Sequence, residues 1–156
     1  MLRSLFETSD DGALTWMRVL LGVVFWPHGA QKLLGWFGGG GLHGTLAAFT
    51  RMGIPAFFVS LVIMTEFFGA LALILGLLTR LAALATAVNM FMAVLLLNGH
   101  FGMFMNWSGR QKGEGIEFHL LVFALAIPLI VKGAGAFSVD RLIAGHRAAE
   151  PVPARG

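Results

Sequence analysis

Seven polar side chains interrupt the apolar stretches of this chain, and they are the candidates for chemistry. They are Arg18, His28, Lys32, Glu66, Asn89, Glu117 and His119. A charged side chain at the centre of an apolar layer as thick as a bilayer costs about 2.5–3.5 kcal/mol on insertion scales. Glu66 and His28 are therefore our candidates for proton transfer. The other five are candidates for ligand binding, and we expect no metal site.

Helical spacing brings several of these groups onto common faces. At about 100° per residue, one stripe of a first helix carries Arg18, Gly22, Phe25, Gly29 and Lys32. His28 lies one turn before Lys32 on a neighbouring face. In a second helix, Glu66 shares a face with Gly69 and Gly76. Because glycines allow helices to approach closely, we expect the two glycine stripes to pack against each other.

The depths of these residues predict a shared polar site. Glu66 lies about 18 Å from one end of its apolar segment, and antiparallel packing would tilt Glu66 and His28 toward each other. Glu117 and His119 begin a later helix at about the depth of Lys32, and Arg18 would reach toward Glu66 from the opposite side. We therefore expect a polar site between the first, second and fourth helices.

Simpler interpretations of the same residues stay open. Arg18 and Glu66 could form an ion pair that only fixes helix register, and His28 could be a hydrogen-bonded packing residue. Lys32, Glu117 and His119 lie near the ends of apolar segments, where long or amphipathic side chains reach water. Asn89 is equally an interhelical hydrogen-bonding residue.

The composition excludes several classes of protein. Of the 156 residues, 57% are hydrophobic and 12% charged, and the mean hydropathy is +0.80. Soluble domains carry about 25% charged residues, so we predict a membrane protein. A net charge of +3 spread over apolar segments provides no basic stripe for nucleic acid. The absence of cysteine excludes disulfides, cysteine-ligated metal sites and a thiol mechanism run by this chain alone.

Four stretches approach the roughly 20 apolar residues that a membrane-spanning helix needs. They cover residues 13–34, 54–78, 81–98 and 116–132. The sequence has no sustained alternation of apolar and polar residues, which argues against strands. We therefore predict an all-α, integral membrane four-helix bundle that forms one domain over residues 1–156. Gly76 is expected to end the second helix and Thr79 to cap the third.

Two shorter helices complete the prediction. The first loop contains a helix-like segment from Thr45 to Met52 that we expect to lie at the membrane interface. Residues 99–115 are rich in Gly, Phe, Met and Trp and would form an outer cap. The tail, residues 138–156, is predicted to begin as an amphipathic helix.

Residues 1–12 carry Glu7, Asp10 and Asp11 rather than a basic leader, so we expect the first helix to stay in the membrane.

Basic residues predict the orientation of four spans. The side that holds both termini carries Arg3, Arg18, Arg80, Lys132, Arg141, Arg147 and Arg155, and the other side carries Lys32, Arg51, Arg110 and Lys112. Because cytoplasmic loops are enriched in Lys and Arg, we expect both termini in the cytoplasm.

The order of these residues resembles the DoxX family of small four-helix bacterial membrane proteins. The matching positions, within residues 14–141, are Arg18, Gly22, Phe25, His28-Gly29, Lys32, Gly53-x-Pro55, Glu66-x-x-Gly69, Leu75-Gly76-x-x-Thr79-Arg80, Glu117 and Gly133…Ser138-x-Asp140. The usual family ending has a basic residue after its second glycine. This chain has Ala136 at that place, followed by Phe137. The resemblance implies a bacterial inner-membrane protein associated with redox chemistry, since the family's namesake is a subunit of a thiosulfate:quinone oxidoreductase.

The first functional hypothesis is a membrane oxidoreductase component that binds a quinone-like molecule. In it His28 donates a hydrogen bond to a carbonyl oxygen, Glu66 relays protons, and Lys32 stabilises oxyanion charge. The expected partners are the lipid bilayer and a redox protein, without nucleic acid; association into a homo-oligomer is left open.

Three alternatives remain. The chain could be a noncatalytic membrane anchor for a cytoplasmic enzyme, through its basic tail. It could be a small proton-coupled carrier with Glu66 as its proton site. A b-type haem held by His28 and His119 is the least favoured of the three.

Overall fold

The computed structural model describes residues 5–148, and within that range the chain is helical without strands. The helices are α1 (Gly12–Leu34), α2 (Gly41–Arg51), α3 (Ala56–Leu75), α4 (Thr79–Phe101), α5 (Glu117–Lys132) and α6 (Val139–Ala148). The predicted all-α architecture is confirmed. Each of the four predicted apolar segments corresponds to one long helix, α1, α3, α4 or α5. The part of the predicted tail beyond Ala148 lies outside the described residues.

The helix ends have identifiable local causes. The Asp11 side chain accepts a hydrogen bond from the Ala13 N–H at 2.8 Å and caps the start of α1. Helix α1 ends at Gly35, with φ of 76°, and α3 ends at Gly76, with φ of 68°. Both glycines adopt the left-handed conformation that commonly terminates helices. The prediction that Gly76 ends the second apolar helix is therefore confirmed.

The four long helices enclose one apolar core. Helix α1 packs against α3 and α5, and α4 closes the bundle by packing against the same two helices. The buried core residues are Leu14, Leu21 and Phe25 of α1, Ala70 and Leu73 of α3, Ala82, Ala83 and Met90 of α4, and Val122, Ala126 and Leu129 of α5. The small residues alternate with large ones, which lets the helices approach closely.

The outer surface of the bundle is strongly apolar. Large hydrophobic side chains are exposed along every long helix, for example Trp16, Phe57, Leu95 and Val131. Helices α3 and α4 are long and apolar enough to cross a membrane. A soluble monomer rarely exposes so much contiguous apolar surface, and a bilayer would cover it.

Two helices contain a wider turn of the π type. In α3 it covers Thr65–Gly69, and in α4 it covers Val94–Asn98. Such turns insert an extra residue into an α-helix and occur frequently at functional sites. The π turn of α3 contains Glu66.

Candidate functional site

Glu66 lies between a cation and an amide at the centre of a small polar cluster. The carboxylate is buried, with 5% of the residue exposed. The Lys32 ammonium of α1 forms an ion pair with Glu66 Oε2. Asn89 Nδ2 of α4 donates a hydrogen bond to Glu66 Oε1 at 3.2 Å. The three side chains, which we call the polar cluster, join α1, α3 and α4.

Glycines on α1 bring this helix close to the π turn. A Cβ atom on Gly29 would lie 2.6 Å from the Glu66 carbonyl oxygen, and one on Gly22 would lie 2.7 Å from the Ala70 carbonyl oxygen. Neither position can hold a larger residue without moving the helices apart. The expected glycine stripe of α3 does not contact α1 at Gly69, because a Cβ atom on Gly69 would meet only a methyl group of Thr65, at 3.7 Å. The α1 stripe therefore packs against backbone of α3 rather than against a facing glycine.

His28 lies away from the polar cluster, contrary to the expected approach to Glu66. Its side chain is exposed on the outer face of α1. The physical reason is rotation: Gly29 is the residue that meets α3, and His28, one position earlier, points about 100° away from it.

Arg18 does not reach Glu66, which corrects the expected pairing. Its guanidinium is buried, and within residues 5–148 the hydrogen bonds that it donates go to backbone carbonyls. They belong to Ala134 at 2.9 Å, Leu73 at 2.9 Å, Ile74 at 2.5 Å and Phe137. Since Arg18 lies 14 residues before Lys32, about 21 Å along α1, these groups occupy opposite ends of the bundle. Arg18 therefore ties α1 to the end of α3 and to the segment after α5.

The same end of the bundle, which we call the terminal end, is fixed by Asp140. Its carboxylate accepts hydrogen bonds from the Leu78 N–H at 2.6 Å and the Thr79 N–H at 2.9 Å. The Asp140 N–H donates to the Gly76 carbonyl at 2.9 Å. A residue 61 positions away thus caps α4, whereas the expected cap, the Thr79 hydroxyl, is buried without a hydrogen-bond partner among residues 5–148.

Glu117 and His119 lie at the start of α5 and do not join the polar cluster. Glu117 Oε2 accepts a hydrogen bond from the Met105 N–H at 3.1 Å, which holds the loop between α4 and α5. His119 is buried, and its Nδ1 has no hydrogen-bond partner in the described part of the chain. The polar cluster therefore joins the first, second and third long helices. The sequence had predicted a site between the first, second and fourth. An exposed His28 and a buried His119 give no support to a haem between them.

Aromatic rings pack beside the π turn. The Trp26 ring of α1 lies 6.0 Å from the Phe67 ring of α3 and 6.0 Å from Trp36, between centroids. Trp26 Nε1 is buried and has no hydrogen-bond partner within residues 5–148. We call Trp26, Trp36 and Phe67 the aromatic cluster. This cluster was not predicted from the sequence, because aromatic residues in an apolar helix carry no signal that separates packing from binding.

The geometry allows two kinds of chemistry. A buried carboxylate held by an ammonium and an amide can exchange a proton when a ligand changes its surroundings. Lys32 has three donor hydrogens, so it can contact a ligand oxygen while it stays bound to Glu66. The described residues contain no group of three or more His, Cys, Asp and Glu side chains that could hold a metal ion.

Comparison with known proteins is consistent with this bundle. Residues 13–99 match the DoxX family profile. The chain is 33% identical to Inner membrane protein YqjF of Escherichia coli (strain K12), over 88% of this chain and 95% of that protein. It is 24% identical to Putative oxidoreductase CatD of Bacillus subtilis (strain 168), over 81% of this chain and 84% of that protein. No solved structure matches the chain.

Proposed function

This chain belongs to the DoxX family of membrane proteins, and we propose that it is the quinone-binding component of a membrane redox system. The observation that carries the proposal is the buried contact of Glu66 with Lys32 and Asn89. Similarity to a protein named as a putative oxidoreductase supports the redox assignment. We place the chain in the bacterial inner membrane with both termini in the cytoplasm, as its basic residues predict.

The polar cluster matches what a quinone headgroup requires. The Lys32 ammonium donates to a carbonyl oxygen and stabilises the negative charge that reduction develops there. Glu66 relays the protons: the carboxylate takes up a proton from water and passes it to that oxygen, and Asn89 holds the carboxylate in place. His28, which is exposed, has no part in this arrangement, and His119 is retained as a further candidate contact because its side chain is buried near the start of α5.

The reaction must balance electrons as well as protons. Conversion of a quinone to a quinol takes up two electrons and two protons. We assign headgroup binding and proton delivery to this chain. The electrons come from a partner redox protein that carries a flavin or a metal centre, which agrees with a component rather than a complete enzyme.

Binding of decylubiquinone to the purified protein in nanodiscs tests this proposal. We expect wild-type protein to bind the quinone and the Glu66→Gln variant to bind it about tenfold or more weakly. Without the Glu66 carboxylate, Lys32 is no longer held in place to donate its charge-assisted hydrogen bond, which contributes about 1.5–3 kcal/mol. Glu114→Gln makes the same chemical change at an exposed loop position and should bind as the wild type does. Absence of binding to wild type, or equal affinity for Glu66→Gln, contradicts the proposal.

A noncatalytic anchor is the second candidate function, and the terminal end supports it. Phe137 is 82% exposed and Leu142 65% exposed beside a cleft at α6. A cytoplasmic enzyme docked there would cover both side chains. The Phe137→Ser/Leu142→Ser variant keeps Arg18 and Asp140 in place, so the bundle should remain folded while a pull-down of the partner is lost. Unchanged partner recovery would contradict this alternative. The carrier hypothesis stays a prediction based on Glu66 alone.

A further inference from the structure

We propose that the polar cluster exchanges protons with water at one end of the bundle, the end opposite the termini, along the Lys32 side chain. We call this end, which carries residues 35–40 and 102–116, the loop end. The side of exchange is a property of this chain alone. That the exchanged protons go to a quinone oxygen rests on the proposed function.

Lys32 joins the buried carboxylate to the loop end. It lies two residues before the end of α1 at Leu34, about 3 Å of helix rise from that end. Side chains lean toward the N-terminus of their helix, so Lys32 leans into the bundle, and Glu66, on the antiparallel α3, leans toward the loop end. The Lys32 side chain is 22% exposed and that of Glu66 7%. Exposure along this ion pair therefore increases toward the loop end.

An apolar layer separates the polar cluster from the terminal end. Glu66 lies seven residues before Leu73, about 10 Å along α3, and Arg18 binds the Leu73 carbonyl. The core side chains packed in this interval are apolar and at most 3% exposed, namely Leu21 and Phe25 of α1, Ala70 and Leu73 of α3, Ala83 of α4 and Ala126 of α5. A buried water needs two to four polar partners, and these side chains offer none. This layer therefore separates Glu66 from water at the terminal end.

Two polar side chains beside this layer are already engaged. Thr86 lies one turn from Asn89 toward the terminal end of α4, and its hydroxyl donates to the Ala82 carbonyl of the same helix at 2.9 Å. The Arg18 guanidinium donates to backbone carbonyls at the end of α3. Because a guanidinium stays protonated in proteins, Arg18 passes no proton on. Both groups close the terminal side.

The neighbours at the loop end leave Lys32 as the connection. Thr45 of α2 donates to the Lys32 carbonyl at 3.2 Å, which places α2 beside the last turn of α1. Glu117 of α5 accepts from the loop between α4 and α5, and His119 is buried, so both lie outside the polar cluster. Among the described residues, Lys32 is the charged side chain that binds Glu66.

The proton balance then has a defined side. A hydronium ion at the loop end gives a proton to the Glu66 carboxylate and leaves as water. Glu66 passes this proton to the ligand oxygen and becomes a carboxylate again, so each quinol formed takes its two protons from the loop end. The electrons come from the partner redox protein. With both termini in the cytoplasm, as the basic residues predict, the loop end faces the periplasm.

Sided acylation of the three lysines tests this inference. Lys112 is exposed at the loop end and Lys132 at the terminal end, so each reports the side that a membrane-impermeant reagent reaches. Sulfo-N-hydroxysuccinimide acetate is added outside sealed phosphatidylcholine vesicles that contain the full chain. Fragmentation of the intact protein in a mass spectrometer shows which lysines are acetylated in the same molecule. We expect acetylated Lys32 together with acetylated Lys112, and not with acetylated Lys132.

The same labelling reports proton exchange. Acylation consumes the deprotonated amine, so the rate at Lys32 follows the pH with which this side chain equilibrates. In molecules whose loop end is outside, a lower pH inside the vesicles at fixed external pH should leave that rate unchanged. Glu66→Gln should raise it about tenfold, because the charge-assisted hydrogen bond that holds the ammonium is lost. Glu114→Gln, the same change at an exposed loop position, should not.

The outcomes separate this inference from the proposed function. Acetylated Lys32 in molecules labelled at Lys132, a Lys32 rate that follows the internal pH, or no Lys32 label in wild type and Glu66→Gln alike overturns the inference. The wild-type pattern decides the side even if Glu66→Gln lowers stability. Loop-end labelling of a protein that binds no decylubiquinone removes the proposed ligand and keeps the side of exchange. Quinone binding with labelling from the terminal end removes this inference alone.

Discussion

At the residue scale, two of the charges that the bundle buries, on Arg18 and Glu66, are satisfied by different means. Among the described residues, Arg18 donates to backbone carbonyls, whereas Glu66 is held by the side chains of Lys32 and Asn89. A guanidinium bound to fixed carbonyls has little freedom to change its charge state or its partners. A carboxylate between two side chains can rearrange. This difference assigns Arg18 to structure and Glu66 to chemistry.

Arg18→Lys should destabilise the protein although it conserves the charge. A lysine ammonium cannot reproduce the planar fork that reaches several carbonyls at once. Each buried carbonyl left without a donor costs about 1–3 kcal/mol, so we expect the apparent Tm in detergent to fall by about 5–10 °C. Arg110→Lys, at an exposed loop position, serves as the control. Equal Tm values for the two variants would contradict the structural role of Arg18.

The candidate residues could be chosen from the sequence, but their pairing could not. Lys32, Glu66 and Asn89 stood out because a polar group in an apolar helix is costly. Their distances depend on the rotation of α1 and on the π turn of α3, neither of which has a sequence signal. For that reason the expected approach of His28 to Glu66 and the reach of Arg18 were both wrong.

At the element scale, the site depends on how closely α1 approaches the π turn of α3. Gly29 allows the two backbones to touch beside Glu66. The Thr65–Gly69 turn widens α3 at that contact. The polar cluster is therefore positioned by backbone contact between two helices, and not by side-chain packing alone.

Gly29→Ala tests this close approach. The added Cβ would lie 2.6 Å from the Glu66 carbonyl oxygen, and overpacking of this kind costs about 1–3 kcal/mol. We expect a lower Tm, by about 5 °C, together with weaker decylubiquinone binding.

Gly44→Ala is the matched control for that substitution. A Cβ at Gly44, inside α2, meets nothing within 4 Å. The change should leave Tm equal or slightly higher, because alanine favours a helix by about 0.5–1 kcal/mol over glycine. A Gly29→Ala variant as stable as Gly44→Ala would show that the helices do not meet as described.

At the scale of the whole molecule, the two ends of the bundle have different tasks. The terminal end holds a network in which Arg18, Arg80 and Asp140 bind backbone atoms of distant segments. An ion pair between Asp10 and Arg141 links the segment before α1 to α6. The network fixes the helix ends, while the polar cluster lies farther along α1. The arrangement separates the parts that maintain the fold from those that we assign to the ligand.

The Asp10–Arg141 pair should make the attachment of α6 depend on pH. The hydrogen bond from Arg141, and its positive charge, lower the pKa of the Asp10 carboxyl below its ordinary value of 3.8. A lowered pKa in the folded state means that the contribution is present above about pH 3.8 and is lost as the pH falls through the lowered value.

Hydrogen exchange measures this effect. After correction for the pH dependence of the intrinsic exchange rate, protection of the α6 amides in wild type should be constant from pH 6 to about pH 4 and should decrease below about pH 3.8. In Asp10→Asn protection should be lower at pH 6 and should fall less at low pH than in wild type, because the charged partner of Arg141 is gone. Amides of α3 provide the internal reference. A pH dependence in Asp10→Asn equal to that of wild type would contradict the assignment.

The sequence by itself determined the four apolar helices, the order of their glycines and buried charges, and the family, because hydropathy and spacing are local properties. The tertiary structure alone decided that Glu66 pairs with Lys32, that Asp140 caps a helix 61 positions away, and that Arg18 binds backbone carbonyls rather than Glu66. These contacts depend on helix rotation and depth. A rotation of one residue, about 100°, exchanges a buried face for an exposed one, and a single sequence does not specify it.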